Sequence, residues 1–282
     1  MLWQCGPEQR RIAHENNIFS WKDPKLTAET MRIGGNYMEI LNKFITVNRD
    51  DKTDDVLFSN IDPDDINDLD WYQTDNNIIE MWVDFETITD VTDRYPGESD
   101  NPEFLFMIGV GWDNKKYKIF DTSNEWEYQC FTSDKYSTKN ESDMIKQFIS
   151  FIEKTEIKYN KTIRLYHWSP AENHMFKRAT QRTNIKDNTM TSRFYDMCDL
   201  VFKQECIIVK GTFGFGLKEI SKKMHEYGLI NTTWDNNGNC ADGMDASLLG
   251  RNIYRQCEKN DIMFHQSDKS RSIIEYNEID CK

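Results

Sequence analysis

An apolar run that ends in two carboxylates constrains this chain more than any other stretch of its sequence. Residues 78–83 are largely apolar, as is typical of a buried β-strand, and Asp84 and Glu86 follow at once. Side chains two residues apart in a strand point to the same face, so we expect these carboxylates to lie side by side. Like charges held that close repel each other unless a cation lies between them. The pair therefore raises the hypothesis of a divalent-metal site, although Asp-x-Glu also occurs by chance in acidic proteins.

The charge balance bears on what such a metal site acts on. The 282 residues include 48 acidic and 35 basic side chains, for a net charge of −13. Phosphate contacts need clustered Lys and Arg, so this balance conflicts with nucleic-acid binding. The conflict eases because much of the acid lies in the first hundred residues, notably in 50–65, and in the metal site itself.

The cysteine pattern and the hydropathy of the chain limit its compartment. The seven cysteines are scattered and no pair has CxxC spacing, so we expect reduced thiols rather than a zinc site or a disulfide framework. No apolar stretch approaches the roughly 18 residues that span a bilayer, and no signal-peptide pattern is present. We expect a soluble intracellular protein, cytoplasmic or nuclear, with no membrane partner.

The chain divides by pattern into a helical N-terminal region, 1–50, an acidic linker, 51–76, and a larger α/β region, 77–282. Helical spacing in the first region predicts helices at 7–14, 26–32 and 36–48. The α/β region predicts strands at 78–84, 104–112, 117–121 and 162–168, with a hairpin turn at Asp113 and Asn114, and helices at 141–154, 170–182, 217–227, 246–260 and from 272 onward. The order β-β-β-α-β-α, with the carboxylate pair on the first strand, is typical of a ribonuclease-H-like mixed sheet flanked by helices.

Two further elements carry residues that could join the carboxylate pair in a metal site. Glu172 lies on the first turn of the helix after the fourth strand, where a helix dipole favours any glutamate and where a third metal ligand would also fit. Tyr276 and Asp280 are four residues apart on the last helix and hence share a face. Each element is common alone, but the three in this order are far less common.

With these elements in place, the chain resembles the DEDD-type 3′-5′ exonucleases of the tyrosine subclass, and within them the YprB-like ribonuclease-H-like nucleases. The resemblance covers residues 77–282. Asp84 and Glu86 match the first motif, and Tyr276 and Asp280 match the last. Glu172 stands where classical members have an aspartate. Asp196 and Asp199 are outside candidates for the fourth acid of the set.

A glycine-rich segment, 211–216, resembles the family's segment before a helix that carries a Leu-Lys pair. It lacks the spacing of a phosphate-binding loop, so we interpret it as a flexible turn. We assign Lys210, Lys218, Lys222 and His167 to nucleic-acid binding, while an ordinary solvated helix face also explains the lysines.

The resemblance implies a two-metal phosphodiester hydrolysis with Mg²⁺ or Mn²⁺ held by Asp84, Glu86, Glu172 and Asp280, and with Tyr276 orienting the attacking water. The implied substrate is DNA or RNA, with a single-stranded 3′ end. The family's neighbours imply a RecB-type nuclease or helicase module as partner and, together with the Asn-rich composition, a viral source. A catalytically inactive nucleic-acid-binding module and a structure-specific endonuclease are the alternatives.

The final residues raise one more expectation. Asp280 is followed by only two residues, whereas members of the family continue this helix, so we expect a C-terminally truncated domain. Because helix ends fray, we also expect Asp280 to be loosely held and to bind metal weakly.

Overall fold

A computed structural model of the chain describes residues 2–50, 54–62, 64, 77–89, 103–119, 122–186, 189–234, 240 and 242–282. Three short 3₁₀ or π segments lie among its elements, at Met190–Arg193, Cys198–Lys203 and Phe264–Gln266. The α-helices and strands follow in the order α1 (Pro7–Glu15), α2 (Asn36–Arg49), β1 (Leu57–Phe58), β2 (Ile78–Thr89), β3 (Glu103–Asp113), α3 (Asn114–Tyr117), β4 (Trp126–Thr132), α4 (Thr138–Tyr159), β5 (Thr162–His167), α5 (Ala171–Arg182), β6 (Phe194–Asp196), β7 (Ile208–Val209), α6 (Leu217–Glu226), α7 (Gly243–Asn260) and α8 (Ser270–Cys281).

The chain forms two compact units that interleave in sequence. Unit 1 comprises Met1–Gln73 and Met197–Thr233, and unit 2 comprises Thr74–Asp196 and Trp234–Lys282. We expected residues 197–233 to belong to one region with the rest of 77–282, whereas their contacts group them with the N-terminal segment. Most of the expected linker, 51–53, 63 and 65–76, lies outside the described residues.

Unit 1 has its own small core, which packs around α2. The helices predicted at 7–14 and 36–48 are present, but 26–32 forms consecutive turns instead of a helix. Side chains take the backbone hydrogen bonds there: the Thr27 amide donates to Thr30 Oγ1 at 2.9 Å, and Arg49 Nη2 donates to the Leu26 carbonyl at 3.0 Å. Such local bonds compete with a helix.

Unit 2 is an α/β fold built on a five-stranded mixed sheet in the order β4-β3-β2-β5-β6. The strands β2, β3 and β4 are antiparallel neighbours, while β2, β5 and β6 run parallel. This confirms the predicted class of a mixed sheet flanked by helices. The strand β2 extends past its carboxylates to Thr89, five residues further than the apolar pattern predicted.

The two faces of this sheet have separate hydrophobic cores. On β2 the odd-numbered residues from Ile79 to Phe85 are buried in the core beneath α4 and α5. On the other face, α7 and α8 pack over Ile88 and the neighbouring part of β3. Asp84 and Glu86 belong to this second face, next to the packed helices.

The predicted third strand at 117–121 was wrong in its described part. The Asp113 carboxylate accepts a hydrogen bond from the Lys116 amide at 2.9 Å and caps the short helix α3 where a hairpin turn was expected. Lys118 then takes a left-handed conformation with φ of 49°, which ends α3. The third strand of the five-stranded sheet in chain order is β4, which starts at Trp126 and pairs antiparallel with β3.

A buried ion pair joins α4 and α5. Glu141 is fully buried and its carboxylate accepts a hydrogen bond from Arg182 Nε at 2.9 Å and one from the Leu105 amide at 3.0 Å. Arg182 is itself largely buried. Both helices are thereby tied to β3 under the sheet.

None of the seven cysteines forms a disulfide bond. In the part of the chain that the structure describes, none of the helices combines the length and apolar character that a bilayer crossing requires.

Candidate metal centre

Three carboxylates from distant parts of the sequence converge at the edge of α8. Asp84 and Glu86 project from β2 and Asp280 projects from α8, and one oxygen of each lies within 4.8 Å of the others. Glu86 is buried, and Asp84 and Asp280 are half-buried. These are three of the four ligands that the sequence predicted.

The fourth predicted ligand, Glu172, is near this group but not part of it. It is buried on the first turn of α5, where its Oε2 lies 3.1 Å from His167 Nδ1. Burial raises the pKa of the Glu172 carboxyl, and the nearby charge of Asp196 raises it further. Asp196 in turn accepts a hydrogen bond from the Ser169 amide at 3.0 Å, while the other outside candidate, Asp199, belongs to unit 1.

His167 lies inside the protein, next to Glu172. Its side chain is almost completely buried, and Nδ1 lies 2.6 Å from the Ser169 carbonyl as well as near Glu172. The Ser169 carbonyl can only accept, so we assign the proton to Nδ1, which also faces the Glu172 carboxyl group. Its assignment to nucleic-acid binding stays a prediction, and the contacts that the structure gives it are those to Glu172 and Ser169.

The predicted nucleic-acid-binding lysines belong to the other unit of the chain. Lys210, Lys218 and Lys222 belong to unit 1, whereas the carboxylates belong to unit 2. Lys210 Nζ donates to the Asp50 carbonyl at 2.7 Å, and Lys222 is exposed. Their part in binding stays a prediction.

Tyr276 lies beside the three carboxylates, as its spacing from Asp280 predicted. The residue is buried, and its phenol shares a hydrogen bond with Asp280. Burial raises the pKa of the phenol, and the negative charges of Asp280, Glu86 and Asp84 raise it further. The phenol therefore keeps its proton and remains a hydrogen-bond donor at the site.

Asp280 is better held than the expected fraying allowed. Trp234 Nε1 donates to Asp280 Oδ1 at 2.6 Å. The next residue, Cys281, is still in α8 and is buried. A side chain from another segment and a buried residue beyond it fix this end of the helix, which spacing within the helix could not reveal.

Asn277 contacts the carboxylates, although the sequence reasoning did not include it. It is completely buried, and its Nδ2 donates to Asp84 Oδ2 at 2.6 Å and lies 3.4 Å from Glu86 Oε1. Its Oδ1 accepts a hydrogen bond from the Tyr128 hydroxyl at 2.7 Å. The amide thus fixes both strand carboxylates. The available signal was a polar residue between Tyr276 and Asp280 on the buried face of α8, where packing favours apolar side chains.

The carboxylates repel one another. Burial raises the pKa of the Asp84 carboxyl well above its ordinary value, and the charges of Glu86, Asp280 and Glu172 raise it further.

Gly109 makes room for this arrangement and gives a first prediction. It is the register partner of Asp84 on β3, and an added Cβ would lie 1.7 Å from Asn277 Oδ1 and 2.7 Å from the Tyr128 hydroxyl. We expect Gly109→Ala to displace the amide, lower metal affinity by about 10–100-fold and cost about 1–3 kcal/mol of unfolding free energy. Calorimetric Mn²⁺ titration and urea denaturation would measure these effects.

The matched control for that prediction is Gly243→Ala at the start of α7, where a Cβ would have no atom within 4 Å. We expect this variant to match the wild type in metal affinity. Equal affinities in all three proteins would contradict the assigned part of Asn277.

No protein-family model matches the chain, and comparisons with curated proteins and with solved structures gave no significant match. The assignment therefore depends on the residues and their geometry.

Proposed function

We propose that the chain is a divalent-metal-dependent nuclease that hydrolyses phosphodiester bonds of nucleic acid. The observation that carries this proposal is the convergence of Asp84, Glu86 and Asp280, whose oxygens lie within 4.8 Å of one another. Residues almost two hundred positions apart meet there, with a buried amide and a buried phenol directed at them. An incidental acidic surface has no reason to be built in this way.

The donor set fits Mg²⁺ or Mn²⁺. The side chains that meet offer carboxylate oxygens, which these hard cations prefer. We propose Glu172, whose charge acts on Asp84, as a fourth ligand. When bound, such ions polarise the phosphate and lower the pKa of a coordinated water.

The residues of the chain have distinct parts in this proposal. Asp84, Glu86 and Asp280 hold the cations. Asn277 keeps the strand carboxylates in one orientation through its bonds to Asp84 and Glu86. The phenol of Tyr276 lies next to the three carboxylates, and its raised pKa keeps it protonated. It can therefore orient the attacking water by donating a hydrogen bond.

The fold supports a narrower version of the proposal. Apart from the four-residue helix α3, the elements follow in the order β2-β3-β4-α4-β5-α5, with the carboxylates on the first of these strands. A ribonuclease-H-like fold has this order. Together with the tyrosine motif, this supports a 3′-5′ exonuclease over the other nucleases of the fold. A single-stranded 3′ end, of DNA or RNA, is the substrate we propose.

The test uses 5′-labelled and internally labelled single-stranded DNA and RNA with Mg²⁺ or Mn²⁺. We expect progressive shortening from the 3′ end and release of mononucleotides. Internal fragments would instead establish the structure-specific endonuclease. Saturable Mn²⁺ binding without any cleavage would contradict the nuclease and favour the inactive binding module.

The raised pKa of Asp84 gives a second prediction, on pH. The pKa of Asp84 is higher in the folded protein than in the unfolded chain, so the folded state holds this proton more tightly. The resulting contribution to the free energy of unfolding is complete at a pH below the unfolded pKa, and it is lost as the pH rises through the folded pKa. In EDTA, this contribution should therefore fall as pH rises. Metal competes with that proton, so the rise in Tm that Mn²⁺ produces should grow over the same range. Thermal unfolding from about pH 4 to pH 8, with and without Mn²⁺, measures both trends. A metal-induced shift that does not change with pH would contradict the prediction.

A further inference from the structure

The face of the unit 2 sheet that carries the carboxylates also carries a row of aromatic rings. Trp82 precedes Asp84 by two residues on β2, so both side chains lie on this face. Tyr166 on β5 is the register partner of Trp82, and Tyr195 on β6 is the register partner of Tyr166. Three rings therefore form one line perpendicular to the strands.

A fourth ring extends the line to the opposite edge strand. Trp126 on β4 reaches over Gly111, the register partner of Trp82 on β3, where an added Cβ would lie 2.2 Å from the Trp126 ring. Successive ring centroids are 5.9 Å apart along the whole line. The aromatic row, defined as Trp126, Trp82, Tyr166 and Tyr195, thus crosses all five strands.

The aromatic row is not part of a hydrophobic core. None of its four residues belongs to the clusters that the described residues form. Tyr166 is buried, whereas Trp82, Trp126 and Tyr195 are partly exposed. The core beneath α4 and α5 is filled by side chains from the other face of β2. Contiguous aromatic surface outside a core marks an interaction site.

The surroundings of the row indicate what it binds. Two residues along a strand span about 7 Å, so the row lies directly beside the carboxylates. On its other side the Arg164 guanidinium lies 5.1 Å from the centroid of the Tyr195 ring, and the nearby Glu80 carboxylate is neutralised by Lys116, whose Nζ lies 2.6 Å from Glu80 Oε2. A ligand on the row would touch aromatic rings and have a metal site on one flank and positive charge on the other.

We propose that the aromatic row stacks the nucleobases of a single-stranded substrate and so holds the strand beside the carboxylates. This inference rests on the proposed nuclease function, which it extends to how the substrate is bound. Stacking suits this chain because every base offers a π face and stacking needs no positive charge. A chain with a net charge of −13 cannot depend on phosphate contacts alone.

The experiment compares two labelled oligonucleotides of equal length, oligothymidylate and an abasic strand with the same phosphates, by fluorescence anisotropy in EDTA. We expect the wild type to bind oligothymidylate about tenfold more tightly or better. Because few phosphates are contacted, its affinity should depend only weakly on salt. Equal Kd values for the two strands would overturn the proposal, and this comparison needs no variant to fold.

Variants then locate the binding on the row. Tyr195→Leu and Trp82→Leu should each weaken oligothymidylate binding by about tenfold and leave abasic binding unchanged, whereas Tyr195→Phe, which keeps the ring, should bind as the wild type does. Unfolding temperatures identify any variant that does not fold. Base-dependent binding that both folded leucine variants retain would overturn the proposal.

The cleavage assay separates this proposal from the proposed function. Metal-dependent cleavage by a protein that binds both strands equally would overturn the aromatic row and leave the nuclease standing. Base-dependent binding that is lost in the leucine variants, without cleavage in any metal, would support the row and overturn the nuclease.

Discussion

Asp84→Asn should lower the rate of metal-dependent cleavage by about 100-fold or more. Substitution of a residue that only hydrogen-bonds to a metal ligand already lowers metal affinity or activity by about 10–100-fold. The change removes one of the three carboxylates that meet. Tyr276→Phe keeps every carboxylate and the ring and should cost far less. Initial cleavage rates at saturating Mg²⁺ measure the difference. Comparable residual rates in the two variants would contradict the assigned parts.

The same substitution should have the opposite effect on stability. Asp84 is repelled by Glu86, Asp280 and Glu172, so its neutral replacement should raise the Tm in EDTA, by about 2–4 °C for each kcal/mol of relief. The increase in Tm that Mn²⁺ causes should disappear. Asp143→Asn on the exposed surface of α4 is the matched control and should change neither quantity. A lower Tm for Asp84→Asn in EDTA would show that the carboxylate is a structural group.

Arg182→Met should destabilise the protein by about 3–5 kcal/mol, because it leaves the buried carboxylate of Glu141 without its cation. A typical domain has only about 5–15 kcal/mol of unfolding free energy, so much of the stability would be lost. Urea denaturation followed by circular dichroism measures the change. The double variant Glu141→Gln with Arg182→Met should recover a large part of it, since the amide oxygen can still accept from the Leu105 amide.

The control for this prediction is Arg178→Met on the same helix. Arg178 pairs with Glu103 at 2.6 Å, but its side chain is 54% exposed. Solvent screens such a pair, so the cost should be about 0–1 kcal/mol. Similar losses of unfolding free energy in Arg178→Met and Arg182→Met would show that burial does not determine how much an ion pair contributes to stability.

Features of the site that arise from local spacing could be predicted from the sequence. Alternation along a strand placed Asp84 and Glu86 together, and the four-residue repeat of a helix placed Tyr276 and Asp280 on one face. The hydrophobic patterns also located β2, β3, β5 and the longer helices, although α4 is longer at both ends than predicted.

Features that depend on contacts between distant segments could not be predicted in this way. The hydrogen bond from Trp234 to Asp280 and the fit of Asn277 against Gly109 arise only when the sheet and α8 have packed. The strands β6 and β7 have three and two residues, too few for any alternation to appear. The position of α3 was decided by one capping side chain, that of Asp113.

The interleaving of the two units has a consequence for how the chain is synthesised and dissected. In unit 1, β1 at Leu57–Phe58 pairs with β7 at Ile208–Val209, so a ribosome must make both segments before that pairing can form. Contacts between residues so far apart in sequence form slowly. During synthesis, the N-terminal segment lacks its β7 partner until the first part of unit 2 has been made. A fragment cut at residue 76 would carry β7 without its partner strand. Expression of the chain in two pieces at that point should therefore give aggregation, which co-expression of the N-terminal piece relieves.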